Sequence, residues 1–442
     1  MPSIITENLK VVLAEQIYNL LDLGANSYLP FSRQSYIYVT LGKQTPWNSG
    51  TEIVPTPTED TNNLNDIYDK AIFAKRLTNA DASYVVPRIN WTTGTVYEEY
   101  SDELNTHGTN FYVLNHQYKV FKCLSNNNGV ASTDEPQITL SSTSLEEPYI
   151  QTADGYKWKY LYSLNSLQRQ RYLTNDWMPV VKNSFVSAAA INGSIDVVNV
   201  LTKGNAYVNG STQDIITVTG DGSGAILKAN VVGGQVQDII IQDRGANYTY
   251  ANLTFGGVTG AGATANVVIS PQNGHGSDPV YELGASTMMF NCDFVGTDTD
   301  LFANNDYRQI AMILNPTDAT TGALATSEKY NCYYKIKTSP GLGNFNDDET
   351  VYQGTSLASS TFSADVIWFD NVQNYLYVNN VIGTPIINQS LTGLTTGSIR
   401  IVNTVTAPTL KLYSGKVLYI SNDAVVSRNT NQTDRIRFIL SF

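Results

Sequence analysis

The sequence predicts a β-rich α+β chain built from more than one domain. Short runs of β-branched and aromatic residues recur between Gly, Asn and Pro turns, one long stretch alone has helical spacing at the N-terminus, and a Gly-rich central segment repeats itself. At roughly 100–200 residues per domain, a chain of 442 residues makes two to four domains, each able to bury its own core. The expected division is an α+β domain at 1–190, a duplicated Gly-rich β insert at 191–272 and a β-rich C-terminal domain at 273–442.

In residues 7–23, Leu9, Val12, Leu13, Ile17, Leu20 and Leu21 recur at three- and four-residue steps, with Thr6 placed to cap the start and Gly24 to close the end. An amphipathic helix is expected there. Ser35–Leu41 has strand composition, Gly42–Thr58 with its three prolines is a loop, and Leu64–Arg76 reads as a second helix. Strands follow at Thr95–Tyr100, Phe111–Leu114, Tyr118–Leu124 and Trp158–Ser163, with a turn at Asn126–Gly129. In the insert, Lys203-Gly204-Asn205-Ala206-Tyr207 returns as Arg244-Gly245-Ala246-Asn247-Tyr248, and Gly224-Ala225 as Gly262-Ala263. This tandem duplication predicts a small β-meander whose two halves share one core. Further strands are expected at Gln309–Leu314, Tyr333–Lys337, Val366–Phe369, Tyr375–Val378 and Val417–Ile420. In the last segment Ile436, Phe438, Leu440 and Phe442 alternate with Arg435, Arg437, Ile439 and Ser441, which predicts a strand buried on one face.

Composition narrows the function. With 27 basic and 39 acidic residues, a net charge of −12 and no basic stripe, nucleic acid is not an expected partner. Only 15% of residues are charged, against roughly 25% in ordinary domains, and the 28 tyrosines outnumber Phe and Trp together, so the surface is polar without being ionic, as suits a protein packed against others. Three cysteines without C-x-x-C spacing suggest a reducing compartment, and neither a signal peptide nor an apolar run of about 20 residues is present, so no membrane insertion is expected.

The search for reactive chemistry returns little. His107, His116 and His275 have no ligand-spaced partners, neither a G-x-S-x-G elbow nor a phosphate-binding loop occurs, and Gly274-His275-Gly276 reads as a flexible hinge. Gly220-Asp221-Gly222 reads as a tight turn, Asp298-x-Asp300 departs from a calcium loop, and the acid pairs Glu98-Glu99, Glu146-Glu147 and Asp347-Asp348 read as solvated charge. No catalytic, metal or cofactor residue is assigned. The candidates are instead aromatic and Arg anchors of a core or an interface: Trp47, Arg88, Trp91, Tyr97, Tyr100, Tyr156, Trp158 and Tyr160. In Tyr156–Tyr160 the three aromatics share one strand face and Lys157 and Lys159 the other, which predicts burial of the aromatic face.

These strings, in order, resemble the baseplate wedge protein of contractile-tailed, T4-like bacteriophages, the gene product eight type. The resemblance runs through Tyr36–Gly42, Pro46-Trp47, Pro87-Arg88-x-x-Trp91-x-x-Gly94–Tyr97, Phe111–Leu114, Val120–Leu124, Asp154–Tyr160 and Met178–Val180, and continues in Gly274–Gly276, Tyr307–Ile310 and Gly415–Ile420. It implies a non-enzymatic structural subunit of the virion, a homodimer within the wedge, made in the host cytoplasm, contacting other wedge proteins and rearranging on tail contraction. A carbohydrate- or receptor-binding tail module is the alternative; a tail-associated polysaccharide hydrolase is a third.

Overall fold

The computed structural model describes residues 4–21, 35–48, 52–102, 106–141, 145–257, 259–295, 306–427 and 432–442. Strands make up 46% and helices 12%, so the chain is a β-rich α+β protein. It divides into two compact units: Met1–Gln16, Ser83–Met289 and Ile439–Phe442 form unit one, and Ile17–Ala82 with Phe290–Phe438 form unit two. Segments 1–190 and 273–442 thus contribute to both units, whereas 191–272 lies wholly in unit one. Gly24 and Asp298-x-Asp300 fall outside the described residues.

The N-terminal helix α1 spans Glu7–Leu21, and Thr6 caps it through Oγ1, which accepts from the Leu9 amide at 3.3 Å. Strand β1 follows at Ile37–Gly42. The helix expected over 64–76 is instead α2 at Thr61–Asp69 followed directly by strand β2 at Ala71–Arg76. Ile72, Phe73 and Ala74 are wholly buried, and Phe73 and Ala74 pair with Leu41 and Thr40 of β1, so a short apolar run is drawn into the sheet against its helical spacing. Strand β3 is Ala82–Pro87. The expected strand Thr95–Tyr100 is irregular apart from a bridge from Thr95 to Ser132. Side-chain amides take its backbone groups: Asn110 Nδ2 donates to Val96 O at 3.0 Å and Asn126 Nδ2 to Tyr97 O at 3.1 Å, leaving no ladder to form.

Unit one is centred on an antiparallel sheet in the order β4-β5-β7-β6, from Tyr112–Leu114, Lys119–Ser125, Lys157–Ser163 and Ile150–Gln151. Successive side chains of a strand point to opposite faces, and both faces are covered. Phe121, Cys123, Tyr156, Trp158 and Tyr160 join one apolar cluster; Val120, Leu161 and Tyr162 join another. Strand β8 (Trp177–Pro179) pairs with β3 in unit one, Val85 opposite Pro179.

Seven strands build the insert: β9 (Ile195–Asn205), β10 (Gly210–Gln213), β11 (Ile216–Gly220), β12 (Ser223–Val232), β13 (Gln235–Ala246), β14 (Ala251–Phe255) and β15 (Ala261–Ile269). The halves do share one core, but they are not a meander. The first strand of each copy pairs with the last strand of the other, β9 with β15 and β13 with β12, and the middle strands β11 and β14 pair across the pseudo-symmetry axis. Tyr207 Oη meets the Ala263 amide at 3.2 Å, and its repeat mate Tyr248 meets the Ala225 amide at 3.4 Å. Each ring lies on a glycine of the opposite copy: a Cβ on Gly260 would stand 2.0 Å from the Tyr207 ring, and one on Gly222 would stand 2.4 Å from the Tyr248 ring. The duplication has produced two interlocked halves rather than two beads. Asp221 ties the turn of copy one to copy two, accepting from the Thr249 and Tyr250 amides at 2.8 and 3.2 Å.

After strand β16 (Thr287–Phe294), unit two holds β17 (Asp306–Leu314), β18 (Thr317–Asp318), β19 (Lys329–Asn331), β20 (Tyr334–Thr338), β21 (Thr350–Gln353), β22 (Phe362–Asp370), β23 (Tyr375–Gly383), β24 (Ser390–Gly393), β25 (Ile399–Thr406), β26 (Leu410–Lys411) and β27 (Lys416–Ser427). A five-stranded sheet runs β19-β2-β1-β17-β27, and β20-β23-β22-β21-β24-β25 close a barrel filled by Ile336, Val351, Phe362, Val366, Leu376 and Val378 among others. Gln44 and Asn379 exchange amide hydrogen bonds of 2.8 and 2.9 Å in the interior of this unit. The final strand β28 (Asp434–Ser441) buries Ile436 and Phe438 and exposes Arg435 and Arg437, the one-faced pattern its sequence predicts.

Candidate functional site

The eight aromatic and Arg candidates separate by burial. Tyr97, Tyr156, Trp158 and Tyr160 lie inside unit one: Trp158 stacks on Tyr156 at 5.4 Å and meets Tyr97 edge-on at 5.5 Å. They are core residues. Trp91 is half-buried against the same cluster, its Nε1 donating to Ser132 Oγ at 3.1 Å, and Arg88 is half-buried, donating to Thr174 O at 2.8 Å. In unit two Trp47 pins its loop by donating to Asp423 O at 2.9 Å, with Lys43 Nζ 5.3 Å from the ring. Tyr100 lines a cleft of unit one, and Trp47 lines a small pocket of about 90 Å³ in unit two.

The lysine face of β7 is the unexpected one. Lys122 and Lys159 are directly opposite each other on β5 and β7, and both are buried. Like charges so placed repel, and an isolated buried ammonium is costly, so the chain must bring carboxylates to them. Glu282 does so from the short helix α3 (Pro279–Glu282) of unit one, forming an ion pair with Lys122 Nζ. Its Oε1 also accepts from the Gly276 amide at 2.6 Å. Asp196, buried at the start of β9, accepts from Ser194 Oγ at 2.7 Å and faces Arg244 at 3.4 Å. Lys159 Nζ donates to Glu147 O at 2.8 Å.

His275 completes the cluster. It is buried rather than a flexible hinge, and its ring sits 4.8 Å from Tyr100, which also lies 4.6 Å beneath Lys122 Nζ. Neither ring nitrogen has a hydrogen-bond partner; Nδ1 is 3.8 Å from Glu282 Oε2. Burial first, and Lys122 second, push its pKa down to about 4, so the imidazole is neutral. Burial alone would raise the Glu282 carboxyl, but the Lys122 ammonium outweighs it and holds it at about 2. Gly276 has a φ of +81°, and a Cβ there would lie 2.4 Å from Val186 Cγ1, so the turn admits glycine alone. Together these contacts clamp the loop before α3 onto the central sheet.

Over this clamp a cleft of about 490 Å³ opens, with Tyr100, Tyr281, Glu282 and Asn8 of α1 in its wall. Glu15 of α1 accepts from Tyr281 Oη at 3.0 Å, fixing the helix beside the cleft. Of the six apolar positions that mark the helix in the sequence, Leu21 is buried, Ile17 and Leu20 are half-buried, and Leu9, Val12 and Leu13 are exposed. Val11 and Ala14 face inward and are fully buried, while Ile5, Leu9, Val12 and Leu13 stand 36–64% exposed. Leu9, Val12 and Leu13 share one face of the helix, and Ile5 stands just before its first turn. Among the described residues no group of three or more His, Cys, Asp or Glu could hold a metal ion, and no helix is long and apolar enough to cross a membrane.

Sequence reasoning missed Lys122, Lys159, Asp196 and Glu282. The available signal was a lysine inside an apolar strand, Val120-Phe121-Lys122-Cys123-Leu124, flanked on both sides by residues destined for the core. No family model matches this chain, and no curated protein matches it.

Proposed function

We propose that the protein is a structural subunit of a larger assembly, gripped by neighbours along α1, and that the assembly is the tail baseplate wedge to which the sequence strings point. The observation that carries this reading is the outward apolar stripe. A helix in water turns its apolar face to the core; α1 buries Val11 and Ala14 and leaves Leu9, Val12 and Leu13, with Ile5 just before the helix, for something else to cover. Exposed contiguous apolar surface marks interaction sites. The buried Lys122–Glu282–His275 clamp serves the same end by fixing the ground on which α1 rests, so the helix is presented rigidly.

The test is the paired substitution Leu9→Asp with Leu13→Asp. Both side chains are exposed, so the purified variant should melt within a few degrees of the parent. Complemented into particles, it should be excluded from the tail. Incorporation at parental level would remove α1 as the docking element.

A further inference from the structure

We propose that the outer face of the barrel in unit two is a binding platform for an anionic saccharide, one pyranose ring with a carboxylate. The inward side chains of β20, β22 and β23, among them Ile336, Val366, Leu376 and Val378, already fill the barrel. The alternate residues of these adjacent strands point outward, and there the expected polar covering is replaced by rings and ammonium groups. In one cross-strand row Lys335 is opposite Tyr377, and Tyr377 is opposite Trp368; in the next, Lys337 is opposite Tyr375 and Tyr375 opposite Asp370.

The rings are organised. Trp368 and Tyr377 stack with centroids 5.4 Å apart and planes within 18°, and Tyr375 continues the surface 6.5 Å from Tyr377. Lys335 Nζ and Lys337 Nζ each stand 4.2 Å from the centre of the Tyr375 ring. Lys337 is held there by donating to Gln373 O. Trp368 and Tyr375 keep part of their surface open to solvent. Asp370, opposite Tyr375, accepts from the Val372 and Gln373 amides at 3.0 and 2.9 Å through Oδ1, and its single negative charge is set against the two lysines. On the other side of β20, Thr404 and Thr406 are exposed opposite Lys337 and Lys335 and offer hydroxyls.

Three chemistries meet on this patch. An aromatic face gains dispersion against the C–H face of a sugar ring; two ammonium groups attract a carboxylate; and threonine hydroxyls satisfy sugar hydroxyls. The same rings could stack a nucleobase, but a nucleic acid brings a phosphate per nucleotide to a chain of net charge −12, and two lysines match one carboxylate rather than a polyanion.

The experiment is titration calorimetry of the full chain with galacturonate, the neutral analogue galactose and a dT oligonucleotide, backed by a glycan array of uronic- and sialic-acid oligosaccharides. Binding should be confined to acidic sugars. It should weaken at least tenfold in Trp368→Ala and in the Lys335→Gln, Lys337→Gln double variant, and survive in Trp368→Phe. Should Trp368→Ala not fold, the lysine variant, altered only at solvent-facing ammonium groups, decides. Absence of binding to every acidic sugar, equal binding of galactose, preference for the oligonucleotide, or undiminished binding by the lysine variant would overturn the proposal. The baseplate reading is independent of all of these results.

Discussion

Replacing Glu282 by Gln should be among the most damaging single changes in unit one. The Lys122 side chain is 0% exposed and Glu282 is its ion-pair partner, while cross-strand Lys159 adds a second positive charge. Glutamine keeps the shape and the Gly276 hydrogen bond but removes the countercharge, leaving an ammonium group buried without compensation. Breaking a buried pair in this way costs about 3–5 kcal/mol, a large part of the 5–15 kcal/mol typical of a folded domain. Urea unfolding of the full chain followed by tryptophan fluorescence measures it. The double change Lys122→Met with Glu282→Leu, which removes both charges and fills similar space, should restore most of the loss. A Glu282→Gln protein within about 0.5 kcal/mol of the parent would refute the reasoning, because Lys122 would then have to be neutral or hydrated.

Other outcomes follow from the same geometry. His275 has a folded pKa of about 4 against 6.5 when free, so between those values the unfolded chain takes up a proton that the native chain refuses; stability should fall as pH drops from 6.5 to 4, by up to about 3 kcal/mol, and His275→Gln should flatten that decline in thermal melts. Glu282, held at about 2, adds a loss in the same direction as pH falls from 4.5 to 2. Trp158→Ala should destabilise by about 3–5 kcal/mol through the cavity it leaves, whereas Trp158→Phe should lose much less, since the buried indole N–H has no hydrogen-bond partner to forfeit. In the insert, Tyr207→Ala and Tyr248→Ala should lower the melting temperature by similar amounts, because each ring bridges the two copies through an equivalent contact; widely different effects would contradict the interlocked description.

Strand positions were legible where pattern and burial agree. The alternation in Ile436-Arg437-Phe438 and the run Gln309–Leu314 describe strands of the kind found, because one residue type per face suffices to set them. The insert's duplication was equally plain, but which strand of which copy pairs with which depends on contacts far apart in sequence, and alternation carries no such information. At Ala71–Arg76 the local spacing suits a helix, and pairing with β1 prevailed. The clamp was illegible for a different reason. A buried lysine looks like a surface lysine until its carboxylate, 160 residues away in the case of Glu282, is seen beside it. The α1 stripe was recognised as apolar, and its direction was not, since periodicity states that a helix has an apolar face but not whose core covers it.

The central claim is that α1 is held by another polypeptide. A reconstruction of intact tails containing this chain tests it most directly: the chain is expected at the baseplate, with Ile5, Leu9, Val12 and Leu13 packed against a neighbouring subunit. Finding those four side chains facing open solvent in the assembled particle, or the chain missing from the tail, would contradict it.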